Sequence, residues 1–172
     1  MVTTMHEWIA IICLIGAAAL LVALSVIDLR VRLLPNRLVF PFACLGIVFH
    51  IALEWAVLSP AQIILGGLLG LGILYAIRTV ANYVYQQDTL GLGDVKLMGA
   101  AGLWLGPDGV MLALSLGAFA GLLHGLAVGL YSAYKNKTKP QFSHLQIPAG
   151  PGFAVGIVLA ALWVFQIFQG GL

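Results

Sequence analysis

Charge is what this chain has least of. Only 8% of its 172 residues are charged and 62% are hydrophobic, where soluble domains carry roughly 25% charged residues. That shortage excludes a soluble globular domain, because a chain this apolar would leave large hydrophobic patches in water. It also argues against nucleic acid as a partner, since eight basic residues and a formal net charge of +2 make no basic patch. Cysteine is nearly absent too. Cys13 and Cys44 lie in apolar runs with no CxxC pair, which excludes a disulfide framework and a zinc site and reads as two buried thiols. A basic leader is missing from the N-terminus, where His6 and Glu7 precede the first apolar run. That run, Trp8 to Ile27, exceeds the roughly 7 to 15 apolar residues of a signal peptide and reads as a retained span.

What the chain has in abundance is hydrophobic segments of bilayer length, about 20 residues each. They run from Trp8 to Ile27, Leu38 to Val57, Ala61 to Val80, Gly93 to Leu105, Val110 to Tyr134 and Phe153 to Phe168, with turn chemistry between them at Leu34-Pro35-Asn36, Ser59-Pro60, Gln86-Gln87-Asp88 and Gly106-Pro107-Asp108-Gly109. The fourth is short, so either it starts before Gly93 or Asp94 lies in a recess lined by protein and water. Six spans would segregate every basic residue onto one side. The connections after spans one, three and five hold Arg30, Arg32 and Arg37, then Arg78 and Lys96, then Lys135, Lys137 and Lys139, which is the entire Lys and Arg content. By the positive-inside bias those loops face the cytoplasm and both termini lie outside. The expectation is a single membrane-embedded domain over residues 1–172, all-α and polytopic, with six transmembrane helices. Gly117, Gly121, Gly125 and Gly129 recur every four residues and predict a close helix contact, with Gly66 and Gly70 as a weaker version. His50 and His124 read as hydrogen-bonded structural residues, and His144 as a solvated loop residue.

Within the six acidic residues, Asp28 and Asp94 stand at the ends of apolar segments. A carboxylate there costs several kcal/mol of solvation, about 3 by insertion scales, so it persists mainly when buried and partnered. Both fall on the side of the basic loops. Pro35 ends helical geometry after Asp28 and forces a turn. Gly91 and Gly93 permit close approach of another backbone beside Asp94. Two neighbouring carboxylates cannot both ionise easily, so one serves as base while its partner keeps a proton, an arrangement suited to activating water against a peptide carbonyl. On these residues alone a second reading stands beside that one. Asp28 has Arg30 and Arg32 as ion-pair candidates, and Asp94 occupies the place of a helix cap with Lys96 nearby. Lys96 reads equally as an orienting residue or a headgroup anchor, and Asp88 as a loop charge or a tuner of the pair.

Three blocks favour the first reading. Gly91-Leu92-Gly93-Asp94-Val95-Lys96-Leu97-Met98, continuing to Gly106, resembles the signature of prepilin peptidases, the membrane aspartic proteases that cut type IV pilin leaders. Asp28 with Leu34-Pro35-Asn36 resembles the family's first catalytic block, and Ile147-Pro148-Ala149-Gly150-Pro151-Gly152 resembles the block before its last span. The resemblance implies that Asp28 and Asp94 are catalytic, with Gly91, Gly93, Lys96, Pro35, Asn36, Pro148, Gly150 and Pro151 supporting the site or its cleft.

It also implies the activity. The chain would be an aspartic endopeptidase of the cytoplasmic (inner) membrane, removing the short basic leader of a prepilin or pseudopilin at the cytoplasmic face, with lipid around it and no metal or cofactor. Larger bifunctional members carry an insertion with paired CxxC motifs and also methylate the new N-terminus. Nothing in this sequence matches that insertion, so a short form without methyl transfer or zinc is expected. From a different class, a small transporter or a noncatalytic pilus-assembly protein could use the same Asp pair for protons or ions.

Overall fold

A computed structural model describes residues 5–88, 90–136 and 149–169, and these form helices, the first three joined by short links. In chain order they are α1 (Met5–Val31), α2 (Asn36–Ala52), α3 (Pro60–Tyr85), α4 (Leu92–Asn136) and α5 (Gly150–Gln169). Local chemistry sets their ends. Arg32 adopts a left-handed φ of 53° and closes α1, and Pro35, extended at ψ 131°, is the N-cap of α2. Ser59 caps α3 reciprocally with Gln62, its backbone N–H donating to Gln62 Oε1 at 2.9 Å, and Pro60 takes the first helical position, where no amide partner is lost.

α4 joins two of the expected segments. At Gly106 the backbone leaves the helix (φ 66°, ψ −172°) and Pro107 resumes it at once. The chain folds back at this point: Gly66 on α3 faces both Gly102 and Gly106, and one turn along, Gly70 faces both Met98 and Val110. α4 therefore has two antiparallel legs, and the six apolar segments correspond to six helical legs. The second leg runs antiparallel to α5, with Gly109 against Val164 and Gly117 against Phe153.

α1, α3 and the Leu92–Tyr131 stretch of α4 are long and apolar enough to cross a membrane, and α2 and Gly150–Gln166 are shorter apolar helices. Phe42, Leu24, Leu97, Met98, Leu105 and Val110 fill the core. The exterior is equally apolar: Ile15, Phe40 and Leu68 are 65%, 68% and 65% exposed. Surface of that kind costs about 25 cal/mol per Å² in water and none in hydrocarbon. This is a membrane protein.

Three expectations about packing change. The closest helix contact is α3 on the first leg of α4, where the Gly66 and Gly102 backbones touch, rather than the four-residue glycine series on the second leg. That series does make the close contact expected of it, since a Cβ at Gly152 of α5 would meet the Gly117 carbonyl at 2.9 Å and the Gly121 amide at 3.1 Å, but it is not the closest one. Cys13 is buried as expected, whereas Cys44 is exposed, because it points from α2 toward the apolar exterior, where a thiol is as acceptable as in a core. His124 likewise faces outward on the second leg. His50 is fully buried, and its Nε2 pairs with the Trp104 carbonyl at 3.1 Å, a group left open by the nearby break at Gly106. Trp104 returns the contact through Nε1, which donates to the Phe42 carbonyl at 2.8 Å.

Candidate active site

Asp28 lies in the last turn of α1 and Asp94 in the first turn of α4, and both are buried, at 5% and 7% exposure. They come from different helices yet lie within electrostatic reach of each other. Asp94 is the third residue of α4 rather than its cap, and its backbone N–H donates to the Gly91 carbonyl at 3.2 Å. Its Oδ1 is buried without a hydrogen-bond partner among the described residues. Asp28 is held differently: its Oδ2 accepts from the backbone N–H of Gly150, the first residue of α5, at 2.9 Å.

The glycines explain the closeness. A Cβ on Gly93 would stand 2.7 Å from the Cβ of Leu34, a buried side chain of the α1–α2 link, so the start of α4 lies directly on that link. A Cβ on Gly91 would stand 3.1 Å from Asp94 Oδ2, and one on Gly150 would stand 2.7 Å from Asp28 Oδ2. Each carboxylate thus has a glycine against it.

The supporting positions separate into two groups. Gly91 and Gly150 stand against the two carboxylates, Gly93 packs on Leu34 just before Pro35, and Pro151 occupies the second position of α5, where its missing N–H is harmless. Lys96 and Asn36 pair with each other instead, Nζ donating to Oδ1 at 3.1 Å. They tie the start of α4 to the start of α2 at the head of an apolar groove of about 420 Å³, lined further by Phe40, Leu68, Leu71 and Leu103. Neither aspartate lines that groove. Pro148 lies outside the described residues. Asp88 is an exposed loop charge, bound by Arg78 Nη2 at 2.9 Å and Asn82 Nδ2 at 3.0 Å, while Arg78 Nε also holds the Leu90 carbonyl at 2.8 Å. The approach to Gly91 is therefore clamped onto α3. Among the described residues no group of three His, Cys, Asp or Glu side chains is placed to hold a metal ion.

Two features escape a reading of the sequence by spacing. Leu34 looks like any apolar linker residue, and Gly150 is 122 positions from the carboxylate it binds, so nothing in their local pattern pairs them with an aspartate.

The family model described as the Type IV leader peptidase family matches residues 14–126, a stretch that includes both aspartates. The chain belongs to this family. Prepilin leader peptidase/N-methyltransferase of Aeromonas salmonicida (strain A449) is 31% identical over 143 residues, covering 83% of this chain and 46% of that protein. The protein of the same name from Escherichia coli (strain K12) is 29% identical over 136 residues, 79% of this chain and 56% of the relative. That of Xanthomonas campestris pv. campestris is 29% identical over 152 residues, with 88% and 50% covered. The chain spans about half the length of these relatives. No solved structure matches it. A buried carboxylate oxygen with no hydrogen-bond partner among the described residues, such as Asp94 Oδ1, is free to address a water or a carbonyl.

Proposed function

We propose that this chain is an aspartic endopeptidase that removes the short basic leader from type IV prepilin-like or pseudopilin precursors at the cytoplasmic face of the inner membrane. Asp28 and Asp94 form the dyad. The observation that carries this reading is the convergence of two buried carboxylates from α1 and α4, one of them with an unpartnered oxygen. In a site from which water is mostly excluded, two neighbouring carboxylates share one proton. The ionised member takes a proton from water as the oxygen attacks the scissile carbonyl, and the protonated member donates to the developing oxyanion. The proton then passes to the leaving amine, and the dyad returns to its starting state.

The side on which this happens follows from charge. With the six legs as six spans and both termini outside, every Lys and Arg falls in the cytoplasmic connections or on the helix ends beside them. The carboxylates lie at that same end, where α1 finishes and α4 and α5 begin. A precursor whose basic leader stays in the cytoplasm and whose apolar helix enters the bilayer would present its junction at this depth.

The test is cleavage of a prepilin precursor by the purified protein in detergent. Wild type should release the leader without any ion gradient, and Asp28→Asn and Asp94→Asn should each abolish release while keeping the helical circular dichroism of wild type. Normal processing by either variant would overturn the dyad, and a requirement for a sealed, energised membrane would point to transport instead.

A further inference from the structure

Asp94 has its glycine three residues upstream in its own segment, whereas the connection after Asp28 contains no glycine at all. The equivalent support reaches Asp28 from the far end of the chain. Gly150 opens α5, its N–H donates to Asp28 Oδ2 at 2.9 Å in a buried setting, and the missing Cβ is what leaves the carboxylate its place. We propose that Gly150 is a positioning residue for Asp28: its N–H fixes one carboxylate oxygen and its bare Cα lets the carboxylate stand against the start of α5, so that Asp28 faces Asp94. This inference rests on the dyad reading above and assigns to α5 a role in catalysis rather than in packing alone.

The geometry separates two contributions. A side chain at position 150 would meet Asp28 Oδ2 at 2.7 Å, Cγ at 3.0 Å and Cβ at 3.1 Å. Oδ2 and Cγ, the two nearest, swing away when Asp28 rotates about its Cα–Cβ bond, and the remaining Cβ contact at 3.1 Å asks for a shift of about a few tenths of an ångström, so the main cost falls on the placing of the carboxylate. Gly152, one step along the same helix, is different. A Cβ there would meet the Gly117 carbonyl at 2.9 Å and the Gly121 amide at 3.1 Å, which are backbone atoms of the second leg of α4 and can yield only if the helices part. Two glycines on either side of Pro151 thus serve a carboxylate and a helix interface respectively. Asp94 Oδ1, buried and without a partner among the described residues, is the oxygen left to substrate or water once Asp28 is anchored.

Two changes isolate the donor and the space. Amide-to-ester replacement at Gly150 removes the N–H without adding bulk, at the side cost of a weaker Ala149 carbonyl acceptor for the Phe153 N–H, and Gly150→Ala adds only the Cβ. Misplacing a reacting group by about 1 Å costs on the order of 10²-fold in rate, so Gly150→Ala should lower kcat for leader cleavage by about that factor, with KM and the melting temperature near wild type. The ester should lower kcat in the same direction by a smaller factor, again without a change in KM. Gly152→Ala should do the reverse, lowering the melting temperature more than kcat. Asp28→Asn is assayed alongside. If it still cleaves, the dyad itself is wrong. If it is inactive while both Gly150 changes keep wild-type kcat, or if Gly150→Ala and Gly152→Ala lose stability and activity in parallel, the dyad stands and the positioning role is overturned.

Discussion

The two ends of the first leg of α4 handle buried polarity in opposite ways. At the Trp104 end, side chains bind the backbone: Trp104 Nε1 donates to the Phe42 carbonyl, and His50 pairs with the Trp104 carbonyl beside the break at Gly106. Phe42, Phe49 and Phe165 pack around this pair of bonds, with ring centroids 5.2 to 5.7 Å apart. About ten residues away along the helix, roughly 15 Å, the Asp94 end does the reverse. There the backbone serves side chains, with the Gly150 amide on Asp28, and Gly91 and Gly150 leaving room beside the two carboxylates. Each end leaves one buried polar atom unpartnered among the described residues, His50 Nδ1 and Asp94 Oδ1. The two are unequal, because an imidazole can remain neutral with one nitrogen unmet, whereas an exposed lone pair on a buried carboxylate is a standing demand for a proton, a water or a substrate. One end is arranged to hold helices together, and the other to hold charge where no fold requires it.

If that contrast is right, removing charge at the Asp94 end should cost activity and not stability. Asp94→Asn, Asp28→Asn and the double variant should all fall to the same background, at least about 10³-fold below wild type, because groups acting as a unit are not additive. Their melting temperatures in detergent should equal or exceed that of wild type. A double variant markedly slower than either single variant would show independent roles and break the comparison.

The helix contact between these ends should behave in the opposite sense. A Cβ at Gly66 would lie 2.6 Å from the Gly106 carbonyl carbon and 2.7 Å from its Cα. These are backbone atoms at the fold-back and cannot rotate away. Gly66→Ala should therefore destabilise by about 1 to 3 kcal/mol or more, seen as a lower unfolding midpoint, with residual activity tracking the folded fraction.

Much of this was legible beforehand because hydropathy and turn residues act locally. Six apolar runs became six helical legs, and Leu34-Pro35-Asn36 became the start of α2. What escaped was tertiary. Gly106-Pro107-Asp108-Gly109 reads as a loop, but one residue at positive φ suffices to reverse the chain, and Pro107 is compatible with the first turn of the next leg. The glycine series from Gly117 is the more regular pattern, yet Gly66 makes the closer contact because Gly102 stands opposite it, and a match between two segments is invisible in either alone. The same reason hides Gly150 from Asp28. Composition recognised the carboxylates by their cost, but their support comes from elements brought together only by folding.

At the Trp104 end, Trp104→Phe keeps an aromatic ring against Phe42 and Phe49 and removes one donor. The loss should be about 1 kcal/mol, read as a small drop in melting temperature, with leader cleavage per folded molecule unchanged. A large fall in activity would mean that the two ends are coupled along α4.

The smallest effect should come from the clamp on the loop before Gly91. Arg78 is shielded while Asp88 is 84% exposed, and their contact is 2.9 Å. Exposed ion pairs contribute little, within about 1 kcal/mol, so Asp88→Asn, which keeps a hydrogen-bond acceptor for Arg78 and Asn82, should leave the melting temperature almost unchanged. Arg78→Met should do slightly more, because it also strips the donor from the Leu90 carbonyl next to Gly91. The expected sign is a modest rise in KM at constant kcat, since the loop borders the site without touching either carboxylate. A fall in kcat for Asp88→Asn comparable to that of the dyad variants would place Asp88 in the charge chemistry of the Asp94 end, and the division between clamp and dyad would have to be redrawn.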